Sequence, residues 1–219
     1  MRVILQGALS DRLCRHRAPR IFRPPLARTE REARTDIGRA VKGMDFRKRY
    51  FSHVLTTDIG PLTLIADGEA LVALHFGNEG SSLRSSEPAE RGGSPLLTDA
   101  ARQIGEYLRG ARRDFDVPIR LEGTDFQLLV WNALRTIPYG ETRTYAEIAA
   151  QIGRPKAVRA VGGANHRNPL PLLVPCHRVV GASGSLTGYA GGVDRKAKLL
   201  ALENADTRKF FMPKKGTAL

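Results

Sequence analysis

The stretch Val174-Pro175-Cys176-His177-Arg178-Val179 sets a cysteine beside a histidine. A thiolate is a strong nucleophile, and a neighbouring base or cation lowers a cysteine pKa from about 8.5 towards or below neutrality. An unperturbed thiol is only roughly 3% ionised at pH 7, so that shift decides whether chemistry occurs. Glu203 completes a set that admits a relay, with Glu203 orienting His177 and His177 taking the proton from Cys176. The apolar run Leu170, Leu172, Leu173 and Val174 leads in, and Pro171 and Pro175 restrict it. This predicts that a stiff extended segment, not a helix interior, presents Cys176. Adjacent side chains on such a segment point to opposite faces, so Cys176 and His177 are expected to communicate through a bridging water. A lone cysteine is more often a buried structural residue. A cysteine hydrolase would use the same pair, but it also needs an oxyanion hole and a substrate groove, and no signature of either is present.

The elements that must position these residues belong to a chain of 219 residues, enough for one large or two modest domains. Thirty-five Lys and Arg against 22 Asp and Glu give +13, a surplus that suits a polyanionic partner. Residues 1–43 carry 11 basic and 4 acidic side chains, so +7 of that charge sits in the first fifth. Two cysteines, Cys14 and Cys176, form neither a disulfide framework nor a paired metal-ligand spacing. No metal and no cofactor are therefore expected. The apolar start Val3-Ile4-Leu5 is too short for a signal-peptide core, and no run of about 18 apolar residues exists. A soluble cytoplasmic protein, a monomer with no membrane partner, is expected.

Residues 1–43 are rich in Arg, Ala and Pro without a sustained period. The stretch reads as a disordered extension, or as upstream sequence translated from a mistaken start before Met44; its Arg-rich composition also loosely matches a transit peptide. Removing residues 1–43 is expected to leave any chemistry at Cys176 nearly intact, because the motif-bearing chain begins near Met44; reaction rates of the truncated, folded protein check this. Residues 44–118 read as a scaffold domain. Tyr50 to Thr56, Leu62 to Ala66 and Leu71 to Phe76 have strand pattern, with turns at Asp58–Pro61 and Asp67-Gly68. Residues 77–94 read as a loop, and Leu96 to Leu108 as an amphipathic helix facing inward through Leu97, Ala100, Ala101, Ile104 and Leu108. Residues 111–123 read as a short strand and a linker, the linker proper being 119–123.

From Thr124 to residue 206 the grammar changes. Thr124 to Gln127 and Thr144 to Glu147 are capping boxes, each opening a helix. Gly153-Arg154-Pro155 is a turn, with Pro155 suited to the first position of a helix Lys156 to Ala164. Helix, short turn, helix is the pattern of a helix-turn-helix. The second helix lacks base-reading side chains before Asn165, and Ala157, Ala160, Gly162, Gly163 and Ala164 leave a nearly bare face. Close backbone approach to a narrow minor groove or tight helix packing would each use such a face. Asp194 is placed to cap a last helix, Arg195 to about Asn204, with Glu203 on its final turn, and residues 207–219 form a basic tail.

Pro-Cys-His-Arg-Val after a helix-turn-helix resembles the O6-alkylguanine-DNA alkyltransferases, as does Arg159 to Ala164 followed by Asn168-Pro169. The resemblance is close from about Thr124 to Ala205 and looser from Tyr50. It implies an α/β (α+β) fold: a small ribonuclease-H-like sheet-and-helix domain, then a mainly helical, winged-helix-like domain. It also implies irreversible, single-turnover transfer of an alkyl group from O6-methylguanine, and from O4-methylthymine, in double-stranded DNA. On that resemblance Cys176 is the acceptor, His177 the base through water and Glu203 its partner. Asn168 holds the supporting turn, and Tyr145 crowds the target phosphate and protonates N3 of the leaving guanine. Arg159 enters through the minor groove to replace the flipped base, with Lys156, Ala157 and Ala160 against DNA. Asn165, Pro171, Val179, Tyr189 and Ala190 line the pocket. Some eukaryotic members bind zinc through cysteines in the first domain; none lies between Met44 and Gly123, so no zinc is expected. Relatives with tryptophan at the acceptor position only bind lesions, whereas this chain has Cys176. A helix-turn-helix regulator without chemistry remains the rival from another class.

Overall fold

The computed structural model describes residues 50–77, 90–91, 94–186 and 189–203. The extension 1–43 and the tail 207–219 lie outside them. The first strands form where β-branched and leucine residues fill short runs between turns. β1 (Phe51–Leu55), β2 (Leu62–Ala66) and β3 (Leu71–Phe76) make an antiparallel meander in the order β3-β2-β1. Every residue of β2 is buried, as a central strand requires. β4 (Glu90–Arg91) pairs parallel with β1 inside the stretch expected to be a loop; two residues are too few to show a period.

α1 (Pro95–Leu108) packs on this sheet through Leu97, Ala100, Ala101 and Ile104. Its last turn buries Tyr107, while Leu108 is only partly covered. The strand expected within 111–123 is absent, and one bridge, Leu71 to Ile119, takes its place. That linker is nonetheless bonded to β3: Leu71 N–H donates to the Pro118 carbonyl at 2.9 Å, and Arg120 N–H to the Leu71 carbonyl at 3.0 Å.

The second region is mainly helical. α2 (Asp125–Arg135) and α3 (Tyr145–Gln151) each begin with a complete capping box, from Thr124 and Thr144. Such caps satisfy amide donors left over at a helix start and contribute about 1 kcal/mol each. α4 (Val158–His166) begins later than the sequence suggested. Ala157 is its cap residue, with no side-chain bond, and Pro155 and Lys156 belong to the preceding turn. The Trp131 indole N–H donates to the Ala164 carbonyl at 2.9 Å, tying α2 to α4. β5 (Arg143–Thr144) and β6 (Val179–Val180) form a two-stranded parallel ribbon. The last helix, α5 (Val193–Leu202), is capped by Gly192 at φ +88°, not by Asp194, which lies exposed in its first turn. Glu203 sits one residue past it, at the C-cap.

One apolar core runs through both regions, joining Leu62, Leu74 and Ile104 to Trp131, Leu134, Leu170 and Val174. The Leu74 N–H donates to the Pro169 carbonyl at 2.8 Å, so β3 also braces the segment that leads to Cys176. Among the described residues no helix is long and apolar enough to cross a membrane.

Candidate active site

Cys176 does not sit on an extended strand. It opens a single 3-10 turn, Cys176–Arg178, after Pro175. The approach is a tight reversal in which Val174 N–H donates to the Leu170 carbonyl at 2.8 Å. Leu172 pays for that reversal with φ +76°, the one positive value at a described residue other than glycine. Asn168 holds the reversal from inside. Its amide donates to the Val174 carbonyl at 2.7 Å, and its side-chain oxygen accepts from Leu170 N–H at 3.0 Å. The turn delivers Cys176, His177 and Arg178 into the interior together, at 3%, 0% and 7% exposure.

His177 and Glu203 meet there, Nε2 lying 3.0 Å from Oε1. Glu203 is saturated with donors. Arg178 Nε lies 2.9 Å from Oε2 and Nη2 2.8 Å from Oε1, and Gly140 N–H donates to Oε2 at 3.2 Å. Gly140, at φ +79°, cannot be replaced cheaply, since a Cβ would come within 2.9 Å of the Glu203 carbonyl oxygen. Burial pushes the Glu203 carboxyl up, but the bonds from His177 and Arg178 outweigh it and hold the group well below the usual carboxylate range. Glu203 is therefore an ionised anchor that orients the imidazole and takes no proton from it. With Nε2–H turned to Glu203, the free lone pair of neutral His177 is on Nδ1, a buried atom without a partner among the described residues. Burial lowers the His177 pKa, which keeps the ring neutral and available as a base.

Burial also pushes the Cys176 thiol up to about 11, against the pull of the Asn168 side chain and the Lys196 charge. The resting thiol is thus protonated, contrary to the lowered pKa expected of a nucleophile beside a histidine. A nucleophilic role for Cys176 therefore requires ionisation to accompany attack.

Lys196 is a buried charged residue at this centre that sequence reasoning missed. It is fully buried, donates to the Val179 carbonyl and lies 5.9 Å from the Tyr145 ring centre. Burial lowers its pKa to about 8, and the charge of Cys176 opposes the shift. A signal existed: Lys196, Leu199, Leu200 and Glu203 follow the i, i+3, i+4, i+7 spacing of a buried helix face. Arg178, assigned no role from sequence although it stands in the Cys176 motif, sits in the 3-10 turn and has no helical spacing to mark it.

Tyr145, first residue of α3, stands close enough for the Cys176 charge to raise its pKa; burial is the larger cause, and together they bring it to about 12. Asn165 hydrogen-bonds its hydroxyl and also donates to the Cys176 carbonyl at 3.4 Å. Pro171, Val179 and Tyr189 are buried beside this centre, whereas Ala190 is exposed. The hydroxyl of Tyr189 and Oδ1 of Asn165 are buried without partners among the described residues, as two groups facing an incoming polar molecule would be.

Two family models match the chain. That for 6-O-methylguanine DNA methyltransferase, ribonuclease-like domain, covers residues 50–121, and that for its DNA binding domain covers residues 125–205. The methylated-DNA–protein-cysteine methyltransferase of Methanosarcina acetivorans is 49% identical over 152 residues, covering 69% of this chain and 97% of the relative. Its Mycobacterium tuberculosis counterpart is 50% identical over 158 residues, covering 70% and 93%. The chain belongs to the 6-O-methylguanine DNA methyltransferase family. Among solved structures, Mycobacterium tuberculosis OGT in complex with DNA matches with a TM-score of 0.62 at 47% identity, over 73% of this chain and 97% of that one.

In this member of the methyltransferase family, the second helix of the helix-turn-helix divides its small residues between two uses. Val161, Ala164 and Asn165 face the core. Lys156, Arg159 and Ala160 are exposed, Ala157 is half-buried, and a side chain at Gly162 would meet nothing within 4 Å. Ala160 and Gly162 of the bare face therefore look outward, and helix packing accounts for Ala164 but not for them. Lys156 and Arg159 have no ion-pair partner among the described residues.

Proposed function

We propose that this protein repairs DNA by moving the alkyl group from O6 of an alkylated guanine to Sγ of Cys176. The observation that carries the reading is the buried Cys176–His177–Glu203 set lying directly behind an outward-facing helix-turn-helix. The C–O6 bond breaks as the S–C bond forms, in line. The thiol proton passes to Nδ1 of His177 through water, and the departing guanine takes a proton from the Tyr145 hydroxyl, which its high pKa keeps protonated at neutral pH. A base inside the stack cannot offer its alkyl carbon to a buried thiol, so the nucleotide must be flipped out, through the minor groove against α4. Arg159 fills the space it leaves, and Lys156, Ala157 and Ala160 lie against the strand. Asn165, Pro171, Val179, Tyr189 and Ala190 surround the base. O4-methylthymine presents the same methyl ether and is a second substrate. The protein acts once, because a thioether has no route back to thiol, and in this reading it works as a monomer in the cytoplasm.

Incubation with methylated duplex, followed by intact mass and peptide mapping, tests this. One methyl on the peptide bearing Cys176 is the expected result. Binding without mass change would mean a regulator, and hydrolysis without retained mass a thiol hydrolase. Either outcome would overturn the proposal.

Lys196 supplies the counter-charge for the thiolate as it forms. At pH 7 its ammonium, with a pKa of about 8, is mostly charged. Lys196→Met is expected to raise the Cys176 pKa and slow transfer at pH 7 roughly tenfold, about 1.4 kcal/mol of lost thiolate stabilisation. Raising the pH should recover rate in the variant, since the thiol then ionises without help. The rate–pH profile with free O6-benzylguanine checks it, and an unshifted alkaline limb would assign Lys196 to packing alone.

A further inference from the structure

The imidazole–carboxylate pair is completed from the other domain. Tyr107, on the last turn of α1, is fully buried, and its hydroxyl donates to Oε1 of Glu203 at 2.5 Å while lying 3.3 Å from Nε2 of His177. We propose that Tyr107 is a positioning residue that sets the proton affinity of His177 by sharing Oε1 of Glu203 with it. This rests on the proposed function, in which His177 is the base.

Packing alone does not account for the hydroxyl. The ring contacts Phe115 at 5.2 Å and stands edge-on to Tyr139 at 6.1 Å, contacts that a phenylalanine would keep. The oxygen instead points into the most highly charged part of the interior. Burial and the nearby Glu203 charge hold Tyr107 far above the usual phenol range, so it stays a donor at every working pH.

Oε1 receives Tyr107, His177 and Nη2 of Arg178 together. Each donor draws on the same lone-pair density, so each weakens what remains for the others. An imidazolium at His177 gains less from a carboxylate oxygen that a phenol already engages. The opposing effect, the phenol lone pair facing Nε2–H, acts over the longer 3.3 Å and is the weaker of the two. The net consequence is a less basic His177. The pair keeps its orientation without trapping the proton, which a base in a single-use reaction must accept only as the nucleophile attacks.

Among the described residues, the other titratable groups around His177 come from few elements, and the phenols of Tyr139 and Tyr189 stand near enough to feel the Glu203 charge. Glu203 and Lys196 come from α5 and its C-cap, and Cys176 and Arg178 from its own turn. The buried face of α2, Val130, Trp131, Ala133 and Leu134, carries no titratable group. Tyr107 is the contribution of α1, and through it the sheet-bearing domain takes part in the chemistry and is not only a scaffold.

Tyr107→Phe in the full chain is expected to raise the His177 pKa by roughly one unit, read by ¹⁵N NMR titration. The acid limb of the rate–pH profile with free O6-benzylguanine should move up with it, and the plateau should fall roughly threefold to tenfold as Glu203 loses a fixed partner. Incorporating 3,5-difluorotyrosine at position 107 keeps the ring and strengthens the donor, so it should shift His177 the opposite way. This second variant decides the matter if the phenylalanine variant does not fold. Opposite shifts support the proposal; a His177 pKa indifferent to fluorination, or an acid limb that stays in place while the rate falls at every pH, overturns it. The NMR titration needs no substrate. Failure of wild-type protein to acquire a methyl would therefore count against the proposed function and leave the Tyr107 result to stand or fall by itself.

Discussion

Cys176→Ser is expected to take no methyl from DNA, while the wild-type protein takes one equivalent and stops. The substitution exchanges sulfur for oxygen at a site of 3% exposure, so the fold and the His177–Glu203 pair should persist. What changes is the acid. A thiol pushed up to about 11 remains within reach of a neutral imidazole assisted by the Lys196 charge. An alkanol is several units weaker and its oxygen is a poorer nucleophile towards carbon, so attack loses on both counts. Binding to methylated duplex should survive, because α4 and the exposed cations are untouched. Titration of protein with excess methylated DNA, followed by mass analysis, checks both halves. Residual transfer in the serine variant would put the acceptor elsewhere, and more than one equivalent per wild-type chain would remove the irreversible thioether.

The parts of this site that were legible in the sequence are those whose cause is local. Thr124 and Thr144 announced α2 and α3 because a capping box needs only residues three apart, and both boxes are formed. The strands 51–55, 62–66 and 71–76 emerged from short apolar runs between turns. Cys176, His177 and Glu203 were assembled on chemistry and resemblance, and the distance of 3.0 Å between the last two joins groups 26 residues apart. The errors arose where conformation depends on remote contacts. Pro171 and Pro175 do restrict the chain, but Asn168 bends it from within, and the result is a reversal and a 3-10 turn in place of an extended segment. The β5–β6 ribbon has two residues a side and carries no period to read. Lys196 and Tyr107 each sat in view on the buried face of a helix. A lysine or tyrosine at such a position is covered only when a partner from another element meets its polar end. For Lys196 that partner is the Val179 carbonyl, and for Tyr107 it is Glu203.

Arg159→Ala is expected to slow repair of duplex DNA by roughly one to three orders of magnitude, while changing reaction with free O6-benzylguanine little. The difference follows from where the residue stands. Arg159 is exposed on the first turn of α4 whereas Cys176 is buried, so the prediction gives it no part in making the thiolate. A nucleotide leaving the stack costs a few kcal/mol, and a side chain that enters the space offsets part of that cost while neutralising phosphate. A free base has no stack to leave and needs no such help. Ala is a good helix former, so α4 should keep its shape. His177→Ala and Glu203→Ala provide the contrast, since they remove the base or its anchor and should slow both substrates alike. Single-turnover rates on duplex and on free base, with circular dichroism to check the fold, give the comparison. Equal slowing of both substrates by Arg159→Ala would mean that the side chain supports the pocket or the fold, and the helix-turn-helix would then need another residue to hold the duplex open.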